Sequence, residues 1–145
     1  MEKMPKNIQD AKRYIMDELM GVYPKNEVHS IAQITLQHLL GFSSVQLIVQ
    51  GQKKLPANIE FQLINIVHRL KQFEPVQYVL GETEFYGCRI KVDQSVLIPR
   101  QETEEMVKWI IDDHLSKPHL SILDIGTGSG CIAIALAKNL SCKSI

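Results

Sequence analysis

Long hydrophobic runs are missing from this sequence of 145 residues. The longest unbroken apolar stretch, Cys131 to Ala137, is seven residues, far below the roughly 20 that cross a bilayer, so no transmembrane helix is expected. The start, Met1-Glu2-Lys3-Met4-Pro5-Lys6-Asn7, has no apolar signal core, which places the protein in the cytoplasm. Cysteine is scarce. Cys88, Cys131 and Cys142 are odd in number and lack C-x-x-C spacing, which fits reduced small hydrophobes and not a disulfide framework or a zinc site. None of the five histidines pairs with another at i, i+4, so no metal site is expected. An excess of one charge is also lacking. Up to Glu74 there are 9 basic and 7 acidic residues and from Pro75 there are 7 and 9, so the parts carry +2 and −2 and the whole carries zero. That balance speaks against a polybasic membrane face and against direct nucleic-acid binding.

What is present is an ordinary globular composition, 45% hydrophobic against 22% charged, which excludes disorder over the whole chain. Ile8, Ala11, Ile15, Leu19 and Val22 recur at steps of three and four, with Asn7 placed as a cap and Gly21 near the end, so the spacing predicts an amphipathic helix. A second follows Asn26, carrying Ile31, Ile34, Leu36, Leu39 and Leu40 and stopping at Gly41. Ser43-Ser44 before Val45, Leu47 and Ile48 marks a shorter third helix ending near Gly51. Pro56 suits a first helical position, and Ile59, Leu63, Ile66, Leu70 and Phe73 follow until Pro75 ends the pattern. Residues 1–75 are therefore expected to form a small all-α helical bundle.

After Pro75 the period changes. Cys88, Ile90 and Val92 alternate with Arg89 and Lys91, which predicts a two-stranded β-ribbon turning at Tyr86-Gly87 and makes residues 76–98 a connector. From Thr103 to about Leu115, Met106, Val107, Ile110 and Ile111 share a helical face, and Pro118 closes it. Leu120 to Ile125 has the pattern of a short buried strand, followed by glycines and a helix through about Leu140. Residues 99–145 thus look like the start of an α/β, Rossmann-like domain.

The chemically informative segment is Asp124-Ile125-Gly126-Thr127-Gly128-Ser129-Gly130. Glycines let the backbone turn sharply and come close to a ligand, and the amino terminus of a following helix offers unpaired N–H groups. A dinucleotide fingerprint G-x-G-x-x-G would need glycine where Cys131 stands, so a nicotinamide-dependent oxidoreductase is disfavoured. Asp124 adds a carboxylate that would repel a pyrophosphate and attract a cationic ligand. The pairing favours S-adenosylmethionine, with its ammonium and sulfonium, held by Asp124, Gly126, Thr127, Gly128, Ser129 and Gly130. A plain strand-to-helix turn, with the aspartate bonding loop N–H groups, is the bland alternative.

D-x-G-x-G-x-G after an apolar strand resembles the first motif of class I methyltransferases. Pro75-Val76-Gln77-Tyr78-Val79-Leu80-Gly81, Glu84-Phe85-Tyr86-Gly87 and Leu97-Ile98-Pro99-Arg100-Gln101-Glu102-Thr103-Glu104 resemble the connector of the HemK/PrmC family, and the order of parts is similar too. The resemblance implies methylation, from S-adenosylmethionine, of the glutamine side-chain amide in the Gly-Gly-Gln motif of bacterial peptide chain release factors. It implies a substrate-recognition role for residues 1–75 and a substrate-side role for Arg100; an arginine merely capping carbonyls is the alternative. In that family an Asn-Pro-Pro-Tyr loop accepts the amide hydrogens, and this chain has no Asn-Pro dipeptide and no aromatic residue after Trp109. The acidic residue that holds the ribose is expected about 20 positions beyond the loop, near position 150. The second strand is expected to begin only where the sequence stops, leaving the first without a partner. The expectation is an amino-terminal portion of a longer enzyme, inactive alone and without catalytic residues of its own. The competing readings are a helical protein-interaction module with an idle glycine loop, and a nucleic-acid amino-methyltransferase, which the zero net charge disfavours.

Overall fold

The computed structural model describes residues 5–145. The chain divides into two compact units at Leu80/Gly81. The first is all helical: α1 (Ile8–Leu19), α2 (Lys25–Leu40), α3 (Ser44–Val49), α4 (Ala57–Lys71) and α5 (Val76–Leu80). Asn7 caps α1 by accepting from the Asp10 N–H at 2.8 Å, which satisfies one of the orphan donors of the first turn. Ile8, Ala11, Ile15 and Leu19 all face inward. They meet Val28, Ile31, Ala32 and Leu36 of α2 and Ile59, Leu63, Ile66, Val67 and Leu70 of α4 in one hydrophobic cluster. Burial of these periodic stripes, and not helix propensity, is the main source of helix stability here.

Several boundaries differ from the sequence expectation. α2 begins one residue before Asn26, with Pro24 as its cap, and Pro56 caps α4 instead of opening it. Phe73, expected on the inward stripe of α4, lies beyond the helix at φ 60° and is exposed. α5 was not expected. It is held by Arg69, whose guanidinium donates to Glu74 (Nε to Oε2 2.7 Å, Nη2 to Oε1 2.5 Å), to the Val79 carbonyl at 3.0 Å and to the Tyr78 carbonyl at 3.3 Å. The bidentate pair raises the Arg69 pKa further above its ordinary value.

The second unit opens with β1 (Glu82–Phe85) and β2 (Cys88–Lys91), an antiparallel pair in the register Glu82↔Lys91 to Phe85↔Cys88. Tyr86 (φ 48°) and Gly87 (φ 68°) form the turn. Two successive positive φ values match the twist of a two-residue hairpin, and Tyr86 adopts them without glycine's freedom. Phe85, Cys88, Ile90 and Val92 are buried while Arg89 and Lys91 are exposed, as the alternation predicts. α6 (Gln101–His114) starts two residues before Thr103, β3 (Leu120–Ser121) follows, then α7 (Cys131–Asn139) and β4 (Cys142–Ser144).

Two expectations about this strand–helix–strand unit are corrected. β4 already exists within the chain and pairs in parallel with β3, Leu120↔Cys142 and Ser121↔Ser144 across a register shift, so β3 has a partner. The expected buried strand through Ile125 shrinks to two residues, and Leu123 and Ile125 are 82% and 86% exposed. The ladder reaches only the Ile122 N–H, which donates to the Ser144 carbonyl at 3.0 Å. Beyond it, among the described residues, no neighbouring strand fixes the backbone or covers the apolar side chains.

Candidate functional site

The glycine loop spans from β3 to α7. All three glycines have positive φ, Gly126 at 76°, Gly128 at 55° and Gly130 at 77°, a region that costs a residue with a Cβ about 1–2 kcal/mol. A Cβ at Gly126 would meet nothing within 4 Å, and one at Gly128 would meet only the Gly126 carbonyl at 3.9 Å. Backbone conformation, not crowding inside the protein, is therefore what requires glycine here. The space above the loop is open to a ligand.

Thr127 to Gly130 close as a turn, the Gly130 N–H donating to the Thr127 carbonyl at 2.8 Å, and the Ile134 N–H donates to the Gly130 carbonyl at 2.9 Å, which starts α7. By helix geometry the N–H groups of Cys131, Ile132 and Ala133 have no acceptor within α7, and they lie at its positive end. Across the loop, the Thr127 hydroxyl donates to Asp124 Oδ2 at 3.0 Å. That bond fixes the carboxylate through one oxygen and leaves Oδ1 to accept from a ligand. Asp124, Ser129 and Gly130 are half-buried, and Gly126, Thr127 and Gly128 are exposed. The loop thus joins one anionic side chain to a run of accessible backbone, an arrangement that fits a ligand with both cationic and polar groups.

Arg100 stands apart from this constellation. It precedes α6 as an exposed cap residue, its carbonyl accepting from the Thr103 N–H at 3.1 Å. Among the described residues no hydrogen bond or ion pair links its side chain to the loop. Thr103, Glu102 and Glu104 occupy the first turn of α6, where negative charge suits the helix dipole. Among the described residues no three His, Cys, Asp or Glu side chains gather as a metal site, and no helix is long and apolar enough to cross a membrane.

One neighbour of the loop escaped the sequence reading. A cavity of about 300 Å³ lies beside it, lined by Ile110, His114, Leu120, Ile122, Asp124 and Leu136 among others. His114 Nδ1 lies 3.0 Å from the Ile110 carbonyl. A carbonyl only accepts, so Nδ1 carries the proton and Nε2 is the nitrogen left to other partners. The signal was available, since His114 follows Val107, Ile110 and Ile111 on the same side of α6.

Comparison with known proteins adds a second line of argument. Residues 10–81 match the PrmC N-terminal domain family. A release factor glutamine methyltransferase of Flavobacterium psychrophilum is 40% identical over 141 residues, 95% of this chain and 50% of that protein. Proteins of the same name from Bacteroides thetaiotaomicron and Haemophilus influenzae are 41% identical over 127 residues and 36% over 138, covering 88% and 90% of this chain and 45% and 47% of theirs. The chain spans about half the length of the curated relatives it matches. Family match and relatives agree with the connector motifs, and the chain belongs to the HemK/PrmC family, whose amino-terminal portion it matches.

Proposed function

We propose that the chain carries the S-adenosylmethionine-binding loop of a cytoplasmic methyltransferase acting on the glutamine side-chain amide of the Gly-Gly-Gln motif in peptide chain release factors. The observation that carries this reading is the D-x-G-x-G-x-G segment seated between β3 and α7, with three positive-φ glycines and the Asp124 carboxylate held by Thr127. The names of the relatives support the substrate class. Residues 1–75 act as the substrate-recognition domain, 76–98 as connector, and 99–145 begin a Rossmann-like cofactor domain.

When bound, S-adenosylmethionine supplies an electrophilic methyl group on a positively charged sulfur. The residues of this chain bind and orient. Gly126, Gly128 and Gly130 bring backbone close to the ligand, Ser129 and the first N–H groups of α7 meet its polar parts, and Asp124 accepts from its ammonium. Thr127 holds Asp124 in one rotamer, so that less order is lost on binding. Arg100 is the substrate-side candidate, a fixed positive charge able to donate to a carbonyl oxygen. An amide nitrogen is a poor nucleophile because its lone pair is delocalised, and the groups that would accept its hydrogens in this family, an Asn-Pro-Pro-Tyr loop, are not in these 145 residues. In this reading the chain binds cofactor without transferring its methyl group.

Calorimetric titration of S-adenosylmethionine into the 145-residue chain tests it. Saturable heat is expected, and Gly128→Val should abolish it, because valine is disfavoured at φ 55° and projects into the open side of the loop. No heat with a chain that circular dichroism shows to be folded, or heat unchanged by the substitution, would refute the loop as the cofactor site. Steady methyl transfer to a release factor by the chain alone would refute its inactivity.

A further inference from the structure

The second unit leaves its largest aromatic side chain on the surface. Trp109, the single tryptophan of the chain, is 68% exposed on α6, and Met106, one turn before it, is 41% exposed. At 100° per residue Glu102, Glu105, Met106, Asp112 and Asp113 all fall within about 60° of Trp109 around the helix. Val107 and Ile111, the buried residues of α6, stand about 160° from it, so this arc is the side turned away from the core. A lone surface hydrophobe needs no explanation. Tryptophan and methionine side by side are residue types enriched where proteins touch one another, and solubility accounts for the carboxylates around them but not for the pair.

The charge of this face has one sign. No basic residue of α6 falls within the arc; Lys108 stands about 100° from Trp109 and donates to Asp112 at 2.5 Å. Among the described residues no ion pair or hydrogen bond engages the side chains of Glu102, Glu105 or Asp113. Glu102 and Glu105 are one turn apart and repel each other. Glu102 gains from the positive end of the helix dipole, whereas Asp113, in the last turn, is disfavoured by the negative end. The three free carboxylates are spread over about 17 Å of helix axis, with the indole between them. Among the described residues no three acidic side chains gather as a metal site, so the positive charge that suits this face is spread along a polymer and is not a single ion.

We propose that the Trp109 face of α6 docks an arginine-bearing segment of a partner protein. Charge complementarity selects a cationic occupant, and the tryptophan selects which cation. A guanidinium is planar and weakly hydrated, so it can lie flat on the indole while its edge donates to a carboxylate one turn away; an ammonium is a compact, strongly hydrated point charge that does the two together less well. Arginines on the partner meet Glu102 and Glu105 toward one end of the face and Asp113 toward the other, with Met106 and Trp109 as the apolar floor between them. Asp112, already bound by Lys108, contributes least. The same carboxylates repel the phosphates of nucleic acids and of anionic lipids. The proposal is independent of the cofactor and methyl-transfer readings, because it uses only the outer side of α6.

Trp109 is itself the reporter. A 12-residue peptide of alternating arginine and serine, titrated into the whole 145-residue chain, should change the Trp109 emission saturably, and a glutamate-for-arginine counterpart should leave it unchanged. A lysine-for-arginine counterpart should bind about threefold or more weakly, and the arginine peptide should weaken as salt is raised. Glu105→Gln combined with Asp113→Asn should weaken it by about tenfold or more. Asp17→Asn combined with Glu27→Gln removes the same charge from exposed positions of α1 and α2 and should change it by less than about twofold. Trp109→Leu, read by anisotropy of a fluorescein-labelled peptide, keeps an apolar side chain without a π face and should weaken binding by about threefold or more. All these side chains are exposed, and unchanged circular dichroism melts verify that the variants fold. Absence of binding, a lysine peptide bound as tightly, or binding as sensitive to the α1 and α2 pair as to the α6 pair would overturn the proposal. So would sedimentation showing that the chain self-associates through Trp109, which would make a second copy the occupant.

Discussion

Thr35→Val should make the helical unit more stable. Thr35 lies within α2, is fully buried, and its hydroxyl has no hydrogen-bond partner among the described residues. In the unfolded chain that hydroxyl is solvated by water, so folding strips it without replacement. Protein mutational data put the cost of an unpaired buried hydroxyl at about 1–3 kcal/mol. Valine keeps the β-branched shape and replaces the oxygen with a methyl, so a gain of about 1–2 kcal/mol is expected. For a unit of this size that raises the midpoint of thermal unfolding by roughly 5–10 °C. Urea denaturation followed by far-UV circular dichroism reads mostly the helices of the first unit, while fluorescence of Trp109, the single tryptophan, reads the second. The dichroism midpoint should rise with an unchanged slope, and the Trp109 transition should stay where it is. Thr35→Ser is the control: it retains the hydroxyl, loses the methyl, and should lower the midpoint. If Thr35→Val lowers stability or leaves it unchanged, the hydroxyl has a partner in solution, and the account of an orphaned oxygen is wrong.

Leu63→Ala removes a fully buried side chain at the centre of α4 and should cost about 2–5 kcal/mol, seen as a large drop in the dichroism midpoint. Arg69→Lys keeps the charge but loses the planar fork that reaches Glu74, Tyr78 and Val79 together; a loss of about 1–2 kcal/mol is expected, with hydrogen exchange accelerated at the amides of α5. The Asp93 carboxyl is held below the ordinary carboxylate range because the Ser95 hydroxyl and N–H both donate to it. A depressed folded value means that its contribution is present above the unfolded pKa and lost as pH falls through the folded one. Carbon-detected NMR titration should therefore find Asp93 titrating low, and Ser95→Ala should move it back toward the ordinary value; no movement would refute the assignment of cause.

The bundle was legible where burial is periodic. Ile8, Ala11, Ile15 and Leu19, and Ile59, Leu63, Ile66 and Leu70, all fall in the core, because a helix repeats its face every three to four residues. Periodicity misled where an apolar residue continues a stripe past the end of its support. Phe73 is the case; Val45, Leu47 and Ile48 do mark α3, although Val45 and Ile48 stay exposed on it. α5 was hidden because five residues are too few to show a period, and its anchor, Arg69, sits in a different helix. Thr35 has no sequence signature as a core residue. In the second unit the alternation of β2 was readable from residue types alone, and so was the glycine loop, since only glycine suits three positive φ values in five residues. The extent of β3 was not, because the length of a strand is set by its neighbours: Leu123 and Ile125 are apolar enough for a buried strand, yet among the described residues nothing pairs with the backbone there.

The glycine loop is fastened unevenly. Its helix side is secured by the Gly130 and Ile134 bonds, while its strand side hangs from a two-residue β3 with a register shift and from the Thr127 hydroxyl on Asp124. In the proposed role, a ligand held by Asp124 and the glycines would order that thinly paired strand side, and part of its binding free energy would go into the ordering. Linkage would make the effect mutual: whatever lengthens the ladder along Ile122 to Ile125 would tighten such a ligand, and the ligand would lengthen the ladder by the same free energy. Sheet growth and ligand affinity would then be two readouts of one equilibrium, with the residues between Ser121 and Gly126 as the tether that couples them.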